Sequence, residues 1–166
     1  MPNISSARVT ALGPKALRVN LRSLPRAPFL GARALTPRAY GSVLVVNRRG
    51  QLYVDGGKVS LHFDTKQLRD KTISGTDLAV ALVDKQTLHP NILDALLAHP
   101  HMIPEAFKTD AEGRPIFLYF WGCVFESASH QPCVRYVYWD GLSWRPFHRW
   151  LSDQWGARDA ALIFEY

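Results

Sequence analysis

The chain has only two cysteines, Cys123 and Cys133, and no long hydrophobic run. Two cysteines do not make a disulfide framework. A hairpin could bring them face to face, but we expect free thiols that pack as small apolar side chains. No CxxC pair or finger-like histidine spacing is present, so the sequence does not support a zinc site. Because no apolar run reaches the roughly 18 residues that cross a membrane, we expect a soluble, cytoplasmic protein with no membrane partner.

Catalytic and cofactor fingerprints are missing as well. The sequence has no phosphate-binding loop, dinucleotide-binding motif, GxSxG or HExxH. His99 and His101 flank Pro100 and could offer two metal nitrogens, but no carboxylate or thiolate stands at a recognised ligand spacing. We therefore predict no catalytic residue, no metal ligand and no cofactor. A hydrolase that uses Cys133 as nucleophile and His148 as base stays open as the weakest functional hypothesis.

Acidic residues are absent from the first 54 positions, which is the sharpest departure from average composition. That stretch has nine Lys and Arg residues, whereas residues 55–166 have 11 basic and 14 acidic ones. The formal net charge of +6 at pH 7 therefore resides in the N-terminal third. We predict that this third contacts nucleic acid or a nucleoprotein, and that counterion release supplies the affinity. The predicted contact residues are Arg18, Arg22, Arg33, Arg38, Arg48 and Arg49.

Other interpretations of the basic stretch stay open. An Arg-rich, acid-free composition also fits a transit peptide, although its prolines and its period-two pattern do not suit an amphipathic helix. A basic surface that contacts an acidic protein is a further interpretation, because opposite charges speed association. The same residues could also form an ordinary solvated face.

Aromatic side chains are concentrated in residues 114–151, which hold four of the five Trp and both cysteines. We predict three antiparallel strands there, at residues 116–126, 133–139 and 144–150. The first strand is apolar on both alternating faces, which indicates a central strand. Gly122 in its middle indicates a bulge or a close backbone approach.

The turn between the last two of these strands predicts their register. If Trp139 pairs with Trp144, both faces of the hairpin mix aromatic rings with basic groups. One face carries Trp139, Trp144, Val137, Pro146, Arg135 and His148. The other carries Tyr138, Arg145, Tyr136, Phe147, Val134 and Arg149. A proline suits an edge strand, so the third strand should be the outer one.

The mixture of rings and guanidinium groups has two interpretations. Aromatic rings flanked by arginine can stack bases and hold phosphates, and we predict a secondary nucleic-acid surface at Arg145 and Arg149. Alternatively the rings are core, with arginine stems covering them. A protein-interaction or inhibitor module would use the same hairpins as its anchor. Its predicted anchor residues are Tyr136, Tyr138, Trp139, Trp144 and Trp150.

The rest of the chain predicts short strands and two short helices. Alternating patterns and turn signals predict strands at 8–12, 16–21, 42–46, 51–54, 58–63 and 160–164. Three prolines predict a loop without regular structure at 24–40. Helices are expected at 77–85, capped by Ser74 or Thr76, and at 90–99, with a helical turn at 152–155. Neither helix has a basic recognition face, which argues against a helix-turn-helix.

The combined prediction is an α+β protein. Mostly antiparallel strands should form a barrel-like sheet or a small sandwich, with the two helices inserted in the middle. We expect residues 1–40 to be a basic arm with a short strand pair, and residues 41–166 to be one globular domain. The predicted function is a non-enzymatic binding module for nucleic acid or a nucleoprotein, with the protein-interaction module as the alternative.

Overall fold

The structure, a computed structural model, describes residues 8–35 and 41–166. Across those residues the chain forms thirteen strands and two α-helices, which confirms the α+β class. Eleven strands form one large, mixed, mainly antiparallel sheet that stays open, and two form a small second sheet. The elements are β1 (Val9–Gly13), β2 (Ala16–Asn20), β3 (Arg33–Leu35), β4 (Ser42–Arg48), β5 (Gln51–Val54), β6 (Gly57–His62), β7 (Ile73–Ser74), α1 (Gly75–Ala81), α2 (Pro90–Ala98), β8 (Phe117–Tyr119), β9 (Val124–Glu126), β10 (Pro132–Trp139), β11 (Trp144–Trp150), β12 (Gln154–Trp155) and β13 (Asp159–Glu165).

The large sheet begins with an antiparallel meander in the order β1, β2, β4, β5, β6. Alternation decides which side chains it buries: Leu17 and Val19 of β2 are buried, whereas Arg18 between them is exposed. The predicted period-two strands of this region are therefore confirmed. The meander continues the same sheet as the C-terminal strands, because β13 pairs antiparallel with β6.

The C-terminal strand β13 lies in the centre of the sheet. It pairs antiparallel with β6 on one side and parallel with β8 on the other. The sequence predicted a strand here but not its position. Ala160 and Leu162 pack into one core cluster and Ala161 packs into the other, so both faces of β13 are covered. Burial on both faces explains the continuous apolar run of this strand.

The predicted long strand at 116–126 is wrong as a single element. The chain forms β8 and β9, separated by residues 120–123, and both pair with β10. The interruption is at Gly122, whose N–H donates to the Leu88 carbonyl oxygen at 2.9 Å. A Cβ at Gly122 would lie 2.7 Å from the His89 Cα. The chain therefore leaves the β10 ladder in order to pack on the backbone that precedes α2.

The register of the β10–β11 hairpin agrees with the prediction. Trp139 pairs with Trp144, and the other pairs follow in strict order to Cys133 with Trp150. Among the described residues β11 pairs with β10 alone, so the strand that contains Pro146 is an edge strand, as predicted.

Two predictions of irregular structure need correction. The proline-rich stretch 24–40 contains β3, which pairs with β9 because it lies between the prolines rather than on them. Residues 152–155 do not form a helical turn, because Gln154 and Trp155 pair with Ser74 and Ile73 in the small sheet. That pairing places the Trp155 ring in the core, where it is fully buried.

The two helices form close to the predicted positions. Helix α2 begins at Pro90 and ends at Ala98, and His89 caps it by accepting the Asn91 N–H at its Nδ1 atom. Helix α1 is shorter than predicted and ends at Ala81, and Ser74 caps it. No helix in the described part of the chain is long and apolar enough to cross a membrane.

The sheet has two faces with different cover. The face that α2 covers, here called the inner face, holds the larger core cluster, which includes Leu17, Val45, Leu118 and Ile92. The opposite, outer face is covered in the middle of the sheet by α1 and the small sheet. Their contacts form a second cluster with Leu78, Tyr119, Val134, Trp155 and Ala161. The outer face at the meander end keeps exposed polar side chains.

Candidate nucleic-acid interface

The outer face of the meander presents basic side chains on a row of paired strands. Arg18 lies opposite Leu44, and Tyr53 lies between Val46 and Lys58 in the register. Cross-strand partners point to the same face of a sheet, so these residues share one surface. We call this surface the basic face. It consists of Arg18, Arg48, Tyr53 and Lys58, with Arg22 beside Arg18, whereas Arg49 lies in the turn between β4 and β5.

A shallow groove of about 410 Å³ lies at the edge of the basic face. Two guanidinium groups line it, from Arg18 and Arg22, together with the hydroxyl residues Thr10 and Ser42. Arg18 Nη1 lies 3.5 Å from Ser42 Oγ. The described lining of the groove contains no carboxylate. Paired guanidinium groups beside hydroxyl groups are the chemistry that binds phosphate oxygens.

The positive charge of the N-terminal third is not neutralised within the described structure. Of its eight described basic residues, Arg33 is the one that pairs with a carboxylate, that of Glu126. Two acids lie beside the basic face. Asp55 uses its carboxylate to accept the Leu44 N–H at 2.7 Å, and Glu165 lies opposite Lys58 in the register without forming an ion pair with it in the described structure. A phosphate at the basic face would therefore meet cations that are not already paired with acids of the described chain. The eight residues are Arg8, Lys15, Arg18, Arg22, Arg26, Arg33, Arg48 and Arg49.

Tyr53 adds an aromatic ring to the basic face. The ring is half-buried, and the Arg48 guanidinium carbon lies 5.7 Å from its centroid. A tyrosine ring between cations can stack a base while the cations contact phosphates. The sequence prediction did not include Tyr53 or Lys58. Both occupy the solvent side of the alternating strands β5 and β6, which is the pattern that would have found them.

The other predicted arginines have partners within the protein or lie elsewhere. Arg33 pairs with Glu126 at the β3–β9 edge. Arg145 donates to Asp140 at 2.7 Å, and this bond, together with the Ser143 and Leu142 N–H groups, lowers the pKa of Asp140 to about 2. Arg149 Nη1 lies 3.2 Å from both Tyr119 Oη and Asp159 Oδ1 on the outer face. Arg38 lies outside the described residues.

The five predicted aromatic anchors divide between the two faces. Tyr136 and Tyr138 lie on the outer face, where the Phe117 ring centroid is 5.7 and 5.4 Å from theirs. The three tryptophans lie on the inner face. Trp144 is buried, the Lys108 ammonium is 3.8 Å from a Trp139 ring centroid, and the Phe29 ring is 5.6 Å from that of Trp150.

The thiols lack the features of a nucleophile. Cys123 and Cys133 are buried and free, and burial raises the pKa of each to about 11. Cys133 pairs with Trp150 rather than with His148, whose ring packs 4.8 Å from Phe29. Both thiols are therefore protonated at neutral pH, which does not favour a thiol nucleophile. In the described ranges no group of three or more His, Cys, Asp or Glu residues is placed to hold a metal ion.

A scan against protein-family models finds no match, and searches of the curated proteins and of the solved structures find none either.

Proposed function

We propose that this protein is a non-enzymatic module that binds single-stranded nucleic acid along the basic face. The observation that carries the proposal is the set of unneutralised cations on an uncovered sheet surface that also holds Tyr53. Phosphate contacts supply affinity without sequence information, and a ring on a sheet stacks bases of any sequence. Binding should therefore be strong at low salt and tolerant of sequence.

The spacing of the cations suits more than one nucleotide. Arg18 lies opposite Leu44, and Arg48 is four residues further along β4. At roughly 3.3 Å per residue, the two guanidinium groups are anchored about 13 Å apart along the strand. The groove at Arg18 and Arg22 lies at one end of this row of cations. Tyr53 lies near Arg48, at the other end.

A single strand fits this surface better than a duplex. Major-groove recognition of DNA commonly uses an exposed helix. Helix α2 is mostly buried, and its Asp94 pairs with Arg135. Helix α1 carries Asp77 in its first turn and has no basic residue in its last. The open sheet face is the element that can accommodate extruded, unstacked bases.

The test is a binding titration with labelled single-stranded and double-stranded DNA and RNA of equal length, at about 50 and 200 mM salt. We expect tighter binding to the single strands. If three phosphates are contacted, their affinity should fall roughly 20-fold over this salt range. Absence of binding at about 50 mM salt, with circular dichroism showing a folded protein, would overturn the proposal. Equal or tighter binding to the duplexes would overturn its preference for single strands.

A second candidate function is supported by the aromatic surface at the opposite end of the outer face. Phe147 is 57% exposed, and its ring lies 6.1 Å from that of Tyr136. Aromatic residues beside arginine dominate protein interfaces. If this surface serves a protein partner, Phe147→Ala and Tyr138→Ala should leave nucleic-acid affinity unchanged. A loss of nucleic-acid affinity in these variants would instead show that nucleic acid contacts the aromatic surface.

A further inference from the structure

A cleft of about 610 Å³ lies between the meander, the end of α1 and the break between β8 and β9. Its volume is in the range of small-molecule sites, about 300–1,000 Å³. The walls are mainly apolar, with Val43, Val54, Leu82, Ile92 and Phe164 among them. The cleft is separate from the groove at Arg18 and Arg22, and no described residue lines both.

His89 lines this cleft and has a ring N–H without an acceptor. Its Nδ1 atom accepts the Asn91 N–H at 3.1 Å, so a neutral ring carries its proton on Nε2. Burial lowers the pKa of His89 to about 4, so the ring is neutral at physiological pH. The residue is 4% exposed, and within the described structure its Nε2 atom has no hydrogen-bond partner.

Trp121 lines the same cleft and also has a ring N–H without an acceptor. The residue is 7% exposed, and its Nε1 atom is buried without a partner among the described residues. One other buried side-chain nitrogen or oxygen in that part of the chain is unpartnered, the Trp155 Nε1 atom, and Trp155 does not line the cleft. Two of the three residues with such atoms therefore line one cleft. A buried donor without an acceptor is costly, and a bound acceptor would remove that cost.

The lining indicates an uncharged ligand. The basic and acidic lining residues, Lys85 and Asp55, are both exposed, so they lie at the mouth rather than in the buried part. Apolar walls and two neutral N–H donors would stabilise a carbonyl oxygen but would not compensate for burying a charge. Solvent does not reach either nitrogen in the unliganded structure, so a ligand carbonyl would contact them only where neighbouring lining side chains move apart on binding.

We propose that this cleft binds a small, uncharged, largely apolar molecule whose carbonyl oxygen accepts hydrogen bonds from His89 and Trp121. This site is independent of the basic face. A ligand here would contact α1 at Ala79, α2 at Ile92 and β9 at Val124. The site does not depend on the proposed nucleic-acid binding.

The test uses prodan, an uncharged naphthyl ketone whose emission shifts to the blue in apolar surroundings. The full chain is titrated and the shift is followed, with the anionic dye ANS for comparison. Val83→Trp places a bulky ring at a lining position, and Val80→Trp makes the same change at a position that does not line the cleft. The two valines are equally exposed, at 72%. We expect Val83→Trp to weaken prodan binding at least about tenfold and Val80→Trp to leave it unchanged.

Trp121→Phe tests the hydrogen bond, because it removes the N–H and keeps an aromatic ring. We expect it to weaken prodan binding roughly fivefold, with little effect on a naphthalene of similar shape that lacks the carbonyl. The proposal is overturned if prodan does not bind, if Val83→Trp and Val80→Trp bind it equally, or if ANS binds more tightly than prodan. Equal weakening for prodan and the carbonyl-free naphthalene in Trp121→Phe would overturn the hydrogen-bonding role.

Discussion

Arg135 and Asp94 form a bidentate ion pair that ties β10 to α2. Arg135 Nη1 donates to Asp94 Oδ2 at 3.1 Å, and Nη2 donates to Oδ1 at 2.9 Å. The Arg135 side chain is 6% exposed and that of Asp94 is 22% exposed. Nη1 also lies 3.4 Å from the Arg26 carbonyl oxygen, so the same guanidinium contacts the segment that precedes β3.

Removal of the carboxylate should destabilise the fold strongly. We expect Asp94→Ala to lower the free energy of unfolding by about 3 kcal/mol, because it leaves a buried guanidinium unpaired. The double variant Asp94→Leu with Arg135→Met should recover most of this stability, because both buried charges are removed together. Urea denaturation of Asp94→Leu, Arg135→Met and the double variant measures the coupling. Additive effects would show that the pair does not act as a unit.

Stability should fall in mild acid because of His89. Its pKa is near 4 in the folded protein and near 6.5 in the unfolded chain. Between these values the unfolded chain binds more protons, so acid favours unfolding. The expected decrease in the free energy of unfolding from about pH 6.5 to 5 is on the order of 2 kcal/mol. Chemical denaturation at each pH measures it.

His89→Asn is the matched control for that pH dependence. Asparagine keeps a side-chain oxygen that can cap α2 and does not titrate. We expect a flatter dependence in the same pH range. A slope equal to that of the parent protein would show that another group is responsible. Asp140 is not that group, because its pKa of about 2 places its protonation at lower pH.

A methyl group at Gly122 should destabilise the irregular segment between β8 and β9. The new Cβ would lie 2.7 Å from His89 Cα and 2.8 Å from the Leu88 carbonyl carbon, and backbone atoms cannot rotate away. We expect Gly122→Ala to lower the free energy of unfolding by about 2 kcal/mol or more. Gly13→Ala is the control, since nothing lies within 4 Å of its Cβ position. Thermal unfolding of both variants checks the difference.

Charge reversal on the basic face should weaken nucleic-acid binding and reduce its salt dependence. With Arg18→Glu and Arg48→Glu together, two phosphates of a single strand would no longer be neutralised. At about 0.7 for each phosphate, the slope of log affinity against log salt should decrease in magnitude by about 1.4. Arg69→Glu with Lys71→Glu changes the net charge equally at exposed residues away from the basic face. Equal effects of the two pairs would show a response to net charge alone.

Both thiols should react slowly in the native protein. Burial raises the pKa of Cys123 and Cys133 to about 11, so little thiolate is present at about pH 8. We expect Ellman's reagent to modify them at the rate of local or global opening, and rapidly in urea. Fast modification of one cysteine in the native protein would contradict this burial and would make that cysteine a candidate nucleophile.

The local sequence pattern was sufficient to predict several secondary-structure elements. The alternation around Leu17 and Val19 predicted β2, and Pro90 predicted the start of α2, because turn and cap residues act on their immediate neighbours. The Trp139–Trp144 pairing predicted the register of the β10–β11 hairpin, since a short turn leaves little freedom in register. Composition alone likewise identified the acid-free N-terminal third and its candidate arginines.

Tertiary contacts decided the rest. Nothing local to residues 159–165 says that β13 lies between β6 and β8, because sheet order depends on partners distant in sequence. The break at Gly122 arises from its contact with His89, which is 33 residues away in the chain. Gly122 lines the same cleft as His89 and Trp121. Sequence alone therefore determined the short elements and the distribution of charge. The assembled sheet decided which cations remained unpaired and which polar groups were buried without partners, because burial and pairing depend on the whole fold.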